Sequence, residues 1–211
     1  MDKSISIKKA TKLLKTMPLD AGHDLSHHER VRDLAFEILK QLPENLRNQV
    51  DKDTLEVAAM WHDVQIKKAE RNKYLPGLAI KAIENHEFWD RPKTIEGKLL
   101  YDADKLDALS IERGRQIFKG IKRREISESR KQLYIRIGKF WLKHMRDRLH
   151  FDYSKQLYDK SLKELSINPE VEKLAEGIDI DIKTINSAID SKPSIFEILI
   201  FRIMAMFKKR N

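Results

Sequence analysis

Cysteine is absent from the 211 residues of the chain, so the protein can form neither a disulfide bond nor a thiolate metal site. Glycine and proline are scarce, at 7 and 6 residues, whereas leucine, lysine and glutamate are frequent. Because the frequent residues favour helix and few helix breakers interrupt them, the composition predicts an all-α fold. Any metal site must be built from imidazole and carboxylate groups.

Long apolar runs are also missing. Residues 1–15 alternate charged and aliphatic side chains and lack the continuous apolar core of a signal peptide. The most apolar segment, 195–207, is interrupted by Glu197 and Arg202 and is shorter than the roughly 20 residues of a spanning helix. We therefore expect a cytoplasmic protein without a transmembrane segment, and the lack of cysteine agrees with a reducing compartment.

The charge balance is basic, with 42 Lys and Arg against 33 Asp and Glu and a formal net charge of +9. Both signs are interspersed along most of the chain, which is typical of solvated helix surfaces. A cationic surface also attracts phosphate-bearing partners. The charge by itself does not distinguish a nucleotide from a nucleic acid.

Hydrophobic periodicity and helix breakers predict the order of the helices. Ser26 and Glu29 form a capping-box pattern at the start of the second helix, and Pro43 ends it. The basic segment 66–77 lacks a period and is predicted to be a loop. We expect a core over residues 1–125, on which C-terminal helices within 126–211 pack. The predicted helices cover residues 5–14, 24–42, 54–61, 78–88, 94–109, 127–150, 154–165, 171–187 and 194–209.

Histidines and aspartates occupy unusual positions relative to these helices. His27 opens one helix, and His62 and Asp63 end another whose preceding residues are apolar. Three further aspartates fall within six positions of an otherwise apolar helix, at Asp102, Asp104 and Asp107. A buried carboxylate requires a partner, and one metal ion would satisfy all of these groups. Imidazole and carboxylate ligands favour Mn, Fe, Co, Ni or Mg, with Zn less favoured.

Three segments resemble the signatures of the HD-domain metal-dependent phosphohydrolases. Residues 23–31 resemble the first signature, an Asp-x-x-His-x-x-Arg-Val helix start, and the pair His62-Asp63 resembles the second. Residues 101–109, with the sequence YDADKLDAL, resemble the third. The signatures occur in the order of the family, and the resemblance covers roughly residues 20–120. It implies an all-helical bundle that hydrolyses phosphate compounds.

The resemblance also implies a ligand set for one divalent metal ion. That set is His27, His62, Asp63 and one aspartate of the third signature. Asp104 is preferred, because in related nucleotide hydrolases the ligand is the aspartate followed by a basic and then a large apolar residue. Asp102 is the alternative.

A single metal ion is favoured over two. Family members with two ions generally carry two histidines between the second and third signatures, and only His86 stands there in this chain. Glu84 or Glu87 would be needed to complete a second site. The sequence departs from the family at residues 110–113, where Ser-Ile-Glu-Arg replaces the small residues that often follow the third signature.

Further residues are assigned to catalysis and substrate binding. We predict His86 as a general acid or phosphate contact, Lys105 as a phosphate contact, and Asp107 as a group that orients a metal ligand rather than reacts. The predicted substrate-binding residues are Lys67, Lys68, Arg71, Arg30 and His23. For the two lysines and Arg71 the alternative is a solvated surface, for Arg30 a helix brace, and for His23 a hydrogen bond to a ligand. The remaining histidines, His28, His144 and His150, are predicted to lie at the surface.

The leading hypothesis is a metal-dependent phosphohydrolase that cleaves a phosphoester or phosphoanhydride bond of a small nucleotide or related compound with a metal-activated water. The alternative is a basic nucleic-acid-binding or RNA-processing protein on an HD fold. A third hypothesis is an interaction module, in which residues 195–207 bind a membrane surface or, more in keeping with their composition, form a buried or homodimer contact. The nucleic-acid hypothesis depends on a basic cluster at Lys119, Lys122, Arg123, Arg124, Arg130, Lys131 and Arg136.

Overall fold

The computed structural model describes residues 2–17, 23–64, 66–86, 90–122, 142 and 144–170. Throughout these residues the protein is all-α, as the composition predicts. A 3-10 turn at Asn72–Tyr74 and a helical stretch at 144–148 supplement the α-helices. The α-helices are α1 (Lys3–Thr16), α2 (Leu25–Gln41), α3 (Glu44–Arg47), α4 (Lys52–Trp61), α5 (Lys68–Arg71), α6 (Gly77–Ile83), α7 (Ile95–Asp107), α8 (Ile111–Lys122) and α9 (Asp152–Ile167).

The start of α2 determines where the first histidine lies. Asp24 is the N-cap, and its carboxylate accepts a hydrogen bond from the backbone N–H of His27 at 3.1 Å. Ser26 lies inside the helix, where its hydroxyl donates to Asp24 at 2.8 Å, so the predicted capping box is wrong. Aspartate caps a helix as well as serine does, and here it places His27 in the first turn.

Helix α4 is the centre of the bundle. It packs against α1, α2, α6 and α7, and its residues from Thr54 to Trp61 are buried except for Glu56. A helix that is surrounded by other helices buries side chains on every face. The C-terminal end of α4 therefore lies inside the bundle. His62 and Asp63 follow at that point.

Helix α2 contributes a buried apolar stripe to the core. Val31, Ala35, Ile38 and Leu39 are buried, and α2 packs against both α7 and α4. Helix α9, the last helix among the described residues, lies against α7 and α2. The start of α2, the end of α4 and the C-terminal half of α7 therefore meet on one side of the core.

Two predictions about the middle of the chain are wrong. Residues 66–77 are not a continuous loop, because α5 and the 3-10 turn occupy 68–74. Helix α6 ends at Ile83 rather than near residue 88, so His86 stands beyond the helix. The first difference reflects short helical turns, which have no hydrophobic periodicity of their own.

Several predicted elements lie outside the described residues. These are most of the predicted helix 127–150, and the helices 171–187 and 194–209 with the apolar segment 195–207. Where the chain is described, its helices all fall short of the length and apolarity that a bilayer crossing demands.

Candidate metal centre

Three helices bring the four predicted ligands together. His27 comes from the first turn of α2, His62 and Asp63 directly follow α4, and Asp104 lies in α7. Each of the four residues offers one ligand atom, and these atoms all lie within 4.8 Å of one another. The cluster could hold a metal ion.

The hydrogen bonds of the two histidines determine which ring nitrogen carries the proton. The Nδ1 of His27 lies 2.7 Å from the carboxylate of Asp107, and the Nδ1 of His62 lies 2.8 Å from the carbonyl oxygen of Ala59. A carbonyl or carboxylate oxygen only accepts, so both Nδ1 atoms must donate. A histidine that ligates a metal is neutral, and in that state the Nε2 atom of each ring carries the lone pair.

These two Nε2 atoms face each other at 3.1 Å. When both rings are neutral, neither Nε2 carries a proton, and the close approach is then not a hydrogen bond between them. Two nitrogen ligands at about 2.1 Å from one metal, in adjacent positions, would be separated by about 3 Å. The geometry of the rings is therefore suited to a shared cation.

The two carboxylates complete the donor set. From the His62 Nε2 atom, the Asp63 Oδ2 lies at 3.5 Å and the Asp104 Oδ1 at 3.6 Å. The corresponding distances from the His27 Nε2 are 3.8 and 3.5 Å. Two imidazole nitrogens and two carboxylate oxygens thus surround one position, a donor set that suits Mn, Fe, Co, Ni or Mg.

The ionisation states also favour a cation. Burial lowers the pKa of His27 to about 4, so its ring is neutral near pH 7. Burial on its own would raise the pKa of Asp104, but the Lys105 ammonium and the His62 ring outweigh it and hold that pKa well below its usual range. The pKa of Asp63 is likewise held low against its burial by His62 and His86. Metal ligands must be deprotonated, and these groups are.

Asp107 supports the site from behind His27. Besides the 2.7 Å bond to the His27 ring, its carboxylate accepts from Arg30 Nε at 2.6 Å and Nη2 at 3.1 Å. Arg113 lies 3.6 Å away on the same carboxylate. Through these contacts Asp107 would orient the ring of a metal ligand. It also pairs with Arg30, which we predicted as a substrate contact or a helix brace.

His86 and Lys105 each lie beside one carboxylate ligand. The His86 Nδ1 donates to the Ile83 carbonyl at 2.5 Å, and its Nε2 lies 3.5 Å from Asp63 Oδ1. Burial by itself would lower the pKa of His86, but contact with Asp63 outweighs it and raises that pKa. Lys105 is buried, pairs with Asp104, and places its ammonium 5.5 Å from the ring centre of Tyr101.

The basic residues after the second signature lie further out. Lys67 and Lys68 are exposed, and Lys68 pairs with Glu84 at 2.9 Å. Arg71 is half-buried in α5. Glu84, an alternative ligand for a second ion, is thus engaged by Lys68, and Glu87 lies outside the described residues. Substrate contacts for Lys67, Lys68 and Arg71 stay predictions.

Asp102, the alternative ligand, has a different role. Its buried carboxylate accepts from the backbone N–H groups of His150 and Phe151 at 3.0–3.1 Å and lies 2.8 Å from His150 Nδ1. Two positions along a helix amount to about 200° of rotation, so Asp102 and Asp104 face opposite sides of α7. Asp102 thereby ties the segment before α9 to the core, and the prediction of a surface position for His150 is wrong.

Replacement of Asp102 should therefore affect stability and leave metal binding intact. We expect Asp102→Asn to lower the free energy of unfolding by about 2–3 kcal/mol, because buried N–H groups lose a charged acceptor. Urea unfolding and metal titration of the same protein measure the two effects. The matched control is Asp159→Asn, which removes an exposed pair with Arg146 and should change stability little. Loss of metal binding in folded Asp102→Asn protein would mean that Asp102 is a metal ligand.

His28 is not at the surface as predicted. Its ring is fully buried, its Nδ1 donates to the Ala59 carbonyl at 3.1 Å, and it lies 4.5 Å from the ring of His62. His28 precedes Val31 and Ala35 on the buried stripe of α2, a spacing from which its burial could have been predicted.

Arg113 and Gln116 of α8 also contribute to the surroundings of the site, although the sequence predicts no role for them. Gln116 donates to Asp24 and Ser26.

Comparisons with known proteins identify the fold. No family model and no curated protein matches the sequence. Among solved structures, YpgQ of Bacillus subtilis is 20% identical, with a TM-score of 0.56 over 84% of this chain and 98% of that one. YpgQ in complex with ADP gives a TM-score of 0.54 at 20% identity, over 83% of this chain and 96% of that one.

The Lin1889 protein of Listeria innocua is also similar, at 23% identity, with a TM-score of 0.52 over 86% of this chain and 99% of that one. At these identities the likeness shows a shared fold. The chain is thus an all-α protein whose helices assemble a cluster that could hold a metal ion.

Proposed function

We propose that the protein is a metal-dependent phosphohydrolase that cleaves a phosphoester or phosphoanhydride bond of a small nucleotide or related compound. The observation that carries the proposal is the meeting of two histidine Nε2 atoms and two carboxylates at one position. His27, His62, Asp63 and Asp104 would hold the ion. A divalent cation supplies water activation and polarisation of a phosphoryl oxygen.

Charge around the site supports a phosphate substrate. The three buried or half-buried carboxylates Asp63, Asp104 and Asp107 are balanced by three cations, Lys105, Arg30 and Arg113. A divalent ion would add two positive charges to these six balanced groups. A phosphate dianion is the ligand that neutralises them.

One side of the cluster is accessible to a substrate. The side chains of His27 and His62 are fully buried and that of Asp104 is 11% exposed, whereas Asp63 is 26% and His23 31% exposed. The opening therefore lies at Asp63 and His23. A small phosphate compound would enter there.

The residues at the site have distinct tasks in hydrolysis. Asp107 and the Ala59 carbonyl keep the two ligand rings in the tautomer that presents Nε2. His86, whose pKa is raised by Asp63, would give a proton to the leaving group. Lys105 pairs with Oδ2 of Asp104, whereas Oδ1 of the same carboxylate faces the histidines. Lys105 would therefore keep this carboxylate in place during hydrolysis.

Nucleotides are the first substrates to test. The structure of YpgQ was determined in complex with ADP, and that protein shares the fold of this chain. The basic cluster behind the nucleic-acid hypothesis lies outside the described residues or, for Lys119 and Lys122, in the part of α8 whose side chains are not described.

A substrate panel tests the proposal. Purified protein is freed of metal with EDTA, exchanged into clean buffer, and assayed with nucleotides and simple phosphoesters after addition of Mn²⁺, Co²⁺, Ni²⁺ or Mg²⁺. We expect release of phosphate or diphosphate from at least one substrate, and none before metal is added. Activity that persists in EDTA, or no activity with any combination, would argue against the proposal.

A further inference from the structure

Arg113 is a buried cation next to the metal centre for which the sequence predicts no role. It lies in the first turn of α8, and only 9% of its surface is exposed. The hydroxyl of Ser110 accepts from its backbone N–H at 3.2 Å and fixes the start of this turn. Arg113 belongs to the segment 110–113, where the sequence departs from the HD pattern.

The guanidinium of Arg113 bridges the inside of the site and its opening. On the inner side, Nη1 lies 3.6 Å from the Asp107 carboxylate. On the outer side, Nη2 lies 3.0 Å from Nε2 of His23. Because arginine only donates, His23 accepts through Nε2, and the same atom is 3.7 Å from Asp63. Arg113 therefore reaches from Asp107 inside the site to His23 at the rim. His23 lies between Arg113 and the predicted metal ligand Asp63.

The hydrogen bonding of Arg113 is incomplete among the described residues. Its Nη1 is buried and has no hydrogen-bond partner there, since the contact with Asp107 is too long for one. A buried donor without an acceptor is costly, and a guanidinium has five donors arranged as a planar fork. An oxyanion that reached the rim would give this guanidinium a charged acceptor at its outer atom, Nη2.

We propose that Arg113 and His23 form a second phosphate subsite, which makes the enzyme selective for a diphosphate group over a monophosphate. This inference rests on the proposed function, since it assumes that one phosphate lies at the metal position. The next phosphate of the same chain would lie over the rim at His23 and pair with the Arg113 fork. A monophosphate would leave the fork unused.

Equilibrium binding of two ligands that lack a cleavable phosphoanhydride bond tests the subsite. The ligands are AMP and the ADP analogue with a methylene group between its phosphates, both titrated in the same excess of Mg²⁺ by calorimetry. We expect wild-type protein to bind the ADP analogue more tightly than AMP. Arg113→Gln should weaken the analogue about 10-fold or more, the range for hydrogen bonds to charged groups, and AMP less than about 2-fold.

Matched variants separate this role from folding. Arg115→Gln removes the same charge from the same helix at an exposed position paired with Glu170, and should leave both affinities unchanged. Arg113→Lys keeps the charge but lacks the planar guanidinium, and should lose most of the preference for the ADP analogue over AMP. This variant provides the test if Arg113→Gln does not fold. His23→Gln should also weaken binding of the ADP analogue.

The inference is overturned if wild-type protein binds AMP as tightly as the ADP analogue. It is also overturned if the folded Arg113 variants lose the same affinity for both ligands or keep the wild-type ratio of the two affinities. The outcome is independent of turnover. Selective, Arg113-dependent binding without hydrolysis of any substrate would support the subsite and contradict the proposed function.

Discussion

His62→Ala and Asp63→Asn are each expected to reduce turnover by about 10³-fold or more, which corresponds to about 4 kcal/mol of transition-state stabilisation. His62 presents its Nε2 lone pair 3.1 Å from that of His27, and Asp63 brings the partly exposed carboxylate at the opening. Loss of either donor leaves three ligands and lowers metal affinity. Phosphate release measured at saturating metal and substrate gives the effect.

Folding controls keep this result interpretable. Asp53→Asn makes the same acid-to-amide change in α4, at an exposed side chain paired with Lys3, and should retain wild-type activity. Circular dichroism melts of the metal-free proteins check that the site variants are folded. Folded His62→Ala protein with more than a tenth of the wild-type rate would mean that His62 is not a ligand in the active enzyme.

Asp107→Asn should cost about 100-fold in metal affinity, although Asp107 is not itself a ligand. An asparagine placed with its amide nitrogen toward His27 would donate to Nδ1 and transfer the ring proton to Nε2. The lone pair at Nε2 would then be lost, as would the charged partner of Arg30 and Arg113. We therefore also expect a loss of about 2–3 kcal/mol in the free energy of unfolding.

Calorimetric titration with Mn²⁺ and urea unfolding measure the two effects of Asp107→Asn. Asp33→Asn, an acid-to-amide change at an exposed position paired with Arg32, is the control and should alter neither quantity. Loss of stability with unchanged metal affinity would show that Asp107 braces the two arginines without controlling the His27 tautomer.

Much of the candidate site could be predicted because its chemistry is local to three short segments. His27, His62 and the aspartates stand at helix ends or in apolar runs, where a polar group needs a reason to be buried. The choice of Asp104 over Asp102 came from the resemblance. The structure gives a separate reason, since Asp102 is engaged by backbone groups 48 and 49 residues further along the chain.

The contacts that sequence reasoning missed are long-range. Arg113 meets His23 across 90 residues, and Arg30 meets Asp107 across 77. The packing of α8 and α7 against α2 creates these pairs, and no spacing along the chain encodes them. Short helices have the same limitation, since α5 contains only four residues and depends on its neighbours.

Metal stoichiometry is the most direct test of the central claim. The full chain is loaded with Mn²⁺, dialysed against metal-free buffer and analysed by inductively coupled plasma mass spectrometry, beside His62→Ala, Asp104→Asn and the control Asp53→Asn. The cluster of His27, His62, Asp63 and Asp104 predicts one metal ion per chain in wild type and in the control, and much less than one in the two site variants. Full retention of metal by folded His62→Ala and Asp104→Asn proteins would contradict it.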